Sequence, residues 1–355
     1  MTVFEFEKAM AIWSAKMGGV GAAFFASHEY QLALSIDLAT LPANATTEDE
    51  FFSRHSVPQQ FLVRGAHHDS IVAWEHCLSS IRSTASARYD SMHKGTPYYF
   101  IGTAAYLIED FEKAFFYMDC AVAEDYHVHG ANWRNTPAGY FIRLDDSSPN
   151  QFARVLTSRT KEAVANALQT TVSRGGVNFS LQQLHDKLLA PAIDGTDELR
   201  SAVTALFTFI LEYRCRHREL MFASSHGGSG ESFLLHLFKG ALIFETLLKV
   251  SPLRPTSGLG TLNDYLGNPS VKTRLGLPTG FGGMGNISFD KVIEKVREAD
   301  VRGDQFGERV VRAAWGVRNT TGHSLAWEKR PAPDEYEMLF NHLLAAIVLV
   351  IDRLF

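Results

Sequence analysis

Cysteine is scarce in this chain. Cys77, Cys120 and Cys215 are an odd and scattered set among 355 residues. They offer neither a disulfide framework nor a zinc cluster, and such usage suits a reducing compartment. Long apolar runs are missing too. The longest near the C-terminus, Leu343 to Ile351, is too short to span a bilayer. The opening residues, Met1-Thr2-Val3-Phe4-Glu5, lack the basic region of a signal peptide. The expectation is a soluble, cytoplasmic protein with no membrane partner. There is no excess of positive charge: the formal net charge of −5 excludes a general polyanion binder. Any nucleic-acid contact must come from a local basic patch.

Several chemistries lack their residues. No G-x-x-x-x-G-K-[ST] occurs, which excludes a P-loop. His226-Gly227-Gly228-Ser229-Gly230-Glu231 is not a nucleophile elbow, because Glu231 stands where the last glycine of G-x-S-x-G must be. The glycine cluster Gly280–Gly285 follows no strand pattern, so it does not read as a dinucleotide fingerprint. His67-His68 and His127/His129 lack carboxylate or cysteine partners at metal spacing and read as surface or loop histidines. No metal and no cofactor are expected.

What remains is helix. Hydrophobic residues make up 46% of the chain, enough for a sizeable core, and strand-like alternation is scarce. The fold class read from this pattern is all-α. Candidate helices run over Phe4–Phe25, Glu29–Leu41, 69–89, 98–125 (as a hairpin), 150–174, 196–223, Ser232–Val250, 288–299, Phe306–His323 and Asp334–Phe355. Asp334 reads as the N-cap of the last one. Gly227-Gly228-Ser229-Gly230 is the strongest break. The expected organisation is a helical-hairpin region over 1–130, a helical connecting region over 131–225, and a helical bundle over 226–355.

In residues 98–125, Tyr98, Ile101, Gly102, Ala105, Phe111, Ala114, Met118 and Ala121 fall near the spacings of a tetratricopeptide repeat, with a turn at Glu109-Asp110-Phe111. The segment resembles such a repeat, and residues 11–39 echo it weakly. The same residues also suit a plain helical hairpin with small residues at its crossing.

Arg318-Asn319-Thr320-Thr321-Gly322-His323 carries the chemistry. Arginine can clamp a phosphate oxygen and stabilise charge developing on it, and histidine can move a proton near neutral pH. Arg88 and His93 share the spacing, but an aromatic follows Arg88 and Thr96-Pro97 soon interrupts that segment. Arg312, Trp315, Asn319 and His323 recur every three to four residues and share one helix face. Gly322 is expected to loosen the last turn so that Arg318 and His323 converge. Glu245, mid-helix on an apolar stripe, reads either as a buried partner for Arg318 or as a helix-edge carboxylate.

This R-N-x3-H segment, with helix patterns on both sides, resembles the signature of the HEPN superfamily over roughly Ser232–Phe355. The resemblance implies an up-and-down four-helix bundle and a homodimer formed through it. It implies metal-independent cleavage of RNA by its own 2′-hydroxyl, leaving a 2′,3′-cyclic phosphate and a 5′-hydroxyl. Arg318, Asn319 and His323 would be the catalytic residues, with Arg312 and Trp315 contacting RNA. It also implies a bacterial stress, toxin–antitoxin or anti-phage setting, with a protein partner on the N-terminal helical region. The rival expectation is a non-catalytic helical-repeat adaptor or RNA-binding protein whose C-terminal bundle only dimerises.

Overall fold

A computed structural model describes residues 57–355 apart from 64, 85, 174–176, 195–196, 224–228, 253, 255–259, 283–286 and 324–329. The expected helices Phe4–Phe25 and Glu29–Leu41, and the faint repeat over 11–39, lie outside the described residues. The all-α class is as expected, with no strand among the described residues. The chain divides into two compact units, one ending at Ile142 and rejoined by Asp146–Leu156, the other made of Arg143–Asp145 and Thr157–Phe355.

The first unit holds α1 (Val57–Val63), α2 (His67–Thr84), α3 (Ser86–Ser91), α4 (Gly95–Leu107), α5 (Phe111–His129), a 3-10 turn at Gly130–Asn135 and α6 (Pro137–Ile142). The α4–α5 hairpin forms where the small residues predict it. Ile101, Ala105, Ala114, Met118 and Ala121 are fully buried. Gly102 lets the helices touch: a Cβ there would sit 3.0 Å from the Ala114 carbonyl oxygen and 3.1 Å from Met118. Glu109 makes the turn at a positive φ of 63°, and the Asp110 carboxylate caps α5 by accepting from the Lys113 amide. Residues 126–150, which fall between the candidate helices 98–125 and 150–174, hold more helix than that pattern gives. α5 continues to His129, and Pro137 opens α6, where a missing N–H costs nothing.

The second unit takes in α7 (Gln151–Ser173) from Thr157 on, α8 (Leu181–Leu184), a π turn at His185–Leu189 and α9 (Ala190–Asp194). There follow α10 (Asp197–Phe222), α11 (Glu231–Val250), α12 (Leu262–Gly267), α13 (Pro269–Leu275), α14 (Phe289–Arg302), α15 (Phe306–His323) and α16 (Pro333–Leu354). α16 is the central helix. It packs on α10, α11 and α15, and Tyr336, Leu339, Leu343, Ala346, Ile347, Val350 and Ile351 are fully buried. Its cap differs from expectation. Pro333 takes the first helical position, the Glu335 carboxylate accepts from the Ala332 amide at 3.0 Å, and Asp334 instead pairs with Arg297 at 3.0 Å.

The expected break at 225/226 does not separate two cores. α10 packs on both α11 and α16: Phe207 and Phe209 are fully buried, and the Tyr213 ring stacks on Phe340 at 3.8 Å. Gly240 of α11 makes that approach possible, since a Cβ there would lie 2.6 Å from the Phe209 ring. That ring is packed against His236 and Phe340, at centroid distances of 4.7 and 4.9 Å. Gly240→Ala is therefore expected to lower stability by about 1–3 kcal/mol, although alanine is the better helix former. Chemical denaturation checks it; a neutral or stabilised variant would show that the helices can spread.

Candidate functional site

The site rests on α15. Its apolar residues Val310, Val311, Ala313, Ala314 and Val317 face the core. The two threonines of the motif are buried as well. Thr320 donates its hydroxyl to the Ile287 carbonyl at 2.9 Å, and Thr321 bonds back to Val317 within the helix. They fix the helix and leave Arg318 and Asn319 half-buried at its flank.

Arg318 has a definite partner. Its Nε donates to Glu245 Oε2 of α11 at 2.8 Å, and Lys249 Nζ donates to Oε1 of the same carboxylate at 2.6 Å. The Glu245 side chain is 7% exposed, that of Arg318 30%. Burial alone would raise the Glu245 carboxyl. The hydrogen bonds and charges of Arg318 and Lys249 outweigh it and hold the group below its ordinary value. Of the two roles open to Glu245 from sequence, the buried partner of Arg318 is the one observed. The pair takes only part of the donor capacity of a guanidinium.

α15 stays helical through Gly322 to His323, so the expected loosening of the last turn is absent. In a regular helix, positions 318 and 323 stand about 140° apart round the axis, whereas 319 and 323 are one turn apart on the same face. The side chain of His323 lies outside the described residues.

The two expected RNA contacts are packed into the protein. Trp315 is 3% exposed and lies against the Phe281 ring at 5.7 Å. This corrects its assignment as an RNA contact, because a ring inside the core offers no face to a base. Arg312 is half-buried, paired with Glu308 and set over the same Phe281 ring at 5.4 Å. Phe281, inside the glycine cluster, was the missing signal: an aromatic in a glycine-rich stretch needs somewhere to be buried.

The rival spacing fails as a helix motif, because α3 ends at Ser91 and His93 lies beyond it, 2.8 Å from Asp125. A basic run, Arg214-Cys215-Arg216-His217-Arg218, stands at the end of α10 and is partly spent on acids, with Arg216 at 3.3 Å from Glu219. Sequence reasoning missed a cluster where Arg309 and His342 share the Asp300 carboxylate at 2.9 and 3.1 Å, beside a cavity of about 200 Å³. The His342 hydrogen bond, opposed by burial, holds the Asp300 carboxyl below its ordinary range. These residues come from three helices and share no local pattern.

No protein-family model matches the chain, and neither a curated protein nor a solved structure matches it. Among the described residues no helix is long and apolar enough to cross a membrane.

Proposed function

We propose that this chain is a metal-independent endoribonuclease of the HEPN kind, acting in bacterial stress, toxin or anti-phage defence. The observation that carries the reading is Arg318, a partly open cation on α15 anchored by a buried carboxylate, next to Asn319 in an R-N-x3-H segment. An anchored guanidinium is preorganised for the charge that grows on a phosphate in the transition state. Positions 318 and 323 point to different sides of a regular helix. The reading therefore needs two copies, with Arg318 of one protomer and His323 of the other meeting at one scissile phosphate. His323 handles the proton of the 2′-hydroxyl or of the leaving oxygen, and Asn319, one turn before it, orients it.

A second reading has its own support. Arg318 serves Glu245 and Trp315 serves the core, so the segment also makes sense as structure alone, in an adaptor whose bundle only dimerises. Cleavage of RNA in EDTA separates the two. His323→Ala, which leaves the Glu245 pair intact, is expected to cut the rate by at least about 100-fold with an unchanged melting profile. Equal cleavage by His323→Ala and wild type would favour the adaptor, whereas a monomeric mass in solution would count against both readings.

A further inference from the structure

We propose that His93, Asp125 and His129 form a binding site for one zinc ion in the first unit. Their candidate ligand atoms, one from each residue, all lie within 4.8 Å of one another. Zinc bonds to nitrogen and carboxylate oxygen of about 2.0–2.2 Å place tetrahedral neighbours about 3.4 Å apart, so only a small inward movement is needed. His129 can supply it, being exposed at the last turn of α5 with Gly130 directly after it at a positive φ of 52°.

The three residues converge for simple reasons. Asp125 and His129 are one helical turn apart on α5, so they rise from the same face. His93 comes in from the segment before α4, with its ring 5.3 Å from that of His129 and nearly perpendicular to it. Gly95 opens α4 beside them. A Cβ at Gly95 would lie 2.3 Å from Asp125 Oδ1 and 2.5 Å from His93 Nε2, so only glycine leaves these ligand atoms their place. The neighbouring cation is already neutralised: Lys94 Nζ lies 3.1 Å from Glu124 and donates to the Met92 carbonyl at 2.6 Å.

Two imidazoles and one carboxylate suit zinc and leave a position open for water or a further ligand. In the metal-free arrangement His93 Nε2 donates to Asp125 Oδ1 at 2.8 Å. Zinc would take the place of that proton, which is released to solvent on ligation. The plainer alternative is a buried His–Asp pair that ties the start of α4 to α5, with His129 merely resting on it.

His129 decides between them, because its exposed ring can be removed without opening the core. The full chain is stripped with chelator, dialysed and titrated with Zn²⁺ by calorimetry, and with Co²⁺ by visible absorption. One ion per chain is expected, with binding at least tenfold weaker in His129→Ala and in His93→Asn and unchanged in His127→Ala. A Zn²⁺-induced rise in melting temperature should disappear in His129→Ala. Equal binding by wild type and His129→Ala, or no saturable site, would overturn the proposal and leave the plain pair. Neither result touches the ribonuclease reading, which routes no step through a metal.

Discussion

Arg318→Ala is expected to destabilise the fold by about 3 kcal/mol, apart from anything it does to RNA. Removing one partner of a buried ion pair strands the other, at a typical cost of about 3–5 kcal/mol. Glu245 is the group that would be stranded, since its side chain is 7% exposed and sits between the core residues Phe244 and Leu247 of α11. Lys249 remains as a second partner, which places the effect at the lower end of that range. Glu245→Gln in the same chain removes the stranded charge, so the double variant should recover more than half of the loss. Denaturant midpoints of wild type, both single variants and the double variant form the cycle. An Arg318→Ala chain within about 0.5 kcal/mol of wild type would mean that water already solvates the pair. The consequence for function is direct. Loss of cleavage in Arg318→Ala alone cannot be credited to chemistry, whereas loss in the refolded double variant can.

The helices of the second unit were largely legible from sequence. α11, α15 and α16 announce themselves by apolar spacing, and Ser288 and the Phe289 that follows it open α14 as the pattern predicts. The role of α10 was not legible. Its C-terminal run Arg214–Arg218 reads as a solvated helix end and the glycine-rich stretch after it as a domain boundary, yet Phe209 is buried in the core and Tyr213, directly before the run, stacks on Phe340. A break in the chain is a local property; a shared core is not. The same holds for the sites. Glu245 could be suspected because a carboxylate interrupts an apolar stripe. Nothing local tells that His93 meets Asp125, which lies 32 positions further on, or that Trp315 turns inward to meet Phe281. Asp125 stands one turn before His129 on the same helix, but only the α4–α5 crossing brings that carboxylate to His93.

His236 leads to the other large effect, a loss of stability on acidification that begins below pH 6.5. The residue is 2% exposed in α11. Its Nε2 lies 2.8 Å from the Phe209 carbonyl, which can only accept, so that nitrogen carries the hydrogen. Its Nδ1 lies 2.7 Å from the Tyr336 hydroxyl, which then donates to it. Both partners are satisfied by the neutral ring, and a second proton on Nδ1 would force the Tyr336 hydroxyl to turn and accept instead. Burial pushes the imidazole down to about 3; the Phe209 carbonyl opposes this, and Lys239 and Arg216 add to it. The sign follows from linkage. The unfolded chain takes up the proton near pH 6.5 and the folded chain does not until about pH 3. The stabilisation is therefore complete above pH 6.5 and is lost as the pH falls toward 3, at up to about 1.4 kcal/mol per pH unit. Between pH 7 and pH 5 this one residue should remove about 2 kcal/mol. His236→Gln keeps a donor and an acceptor but cannot titrate. Its folding free energy should thus fall less steeply over that interval, by one proton's worth, than that of wild type. Parallel pH profiles would show that His236 is already protonated in the fold, and the Tyr336–His236–Phe209 chain of hydrogen bonds would have to be redrawn with Tyr336 accepting.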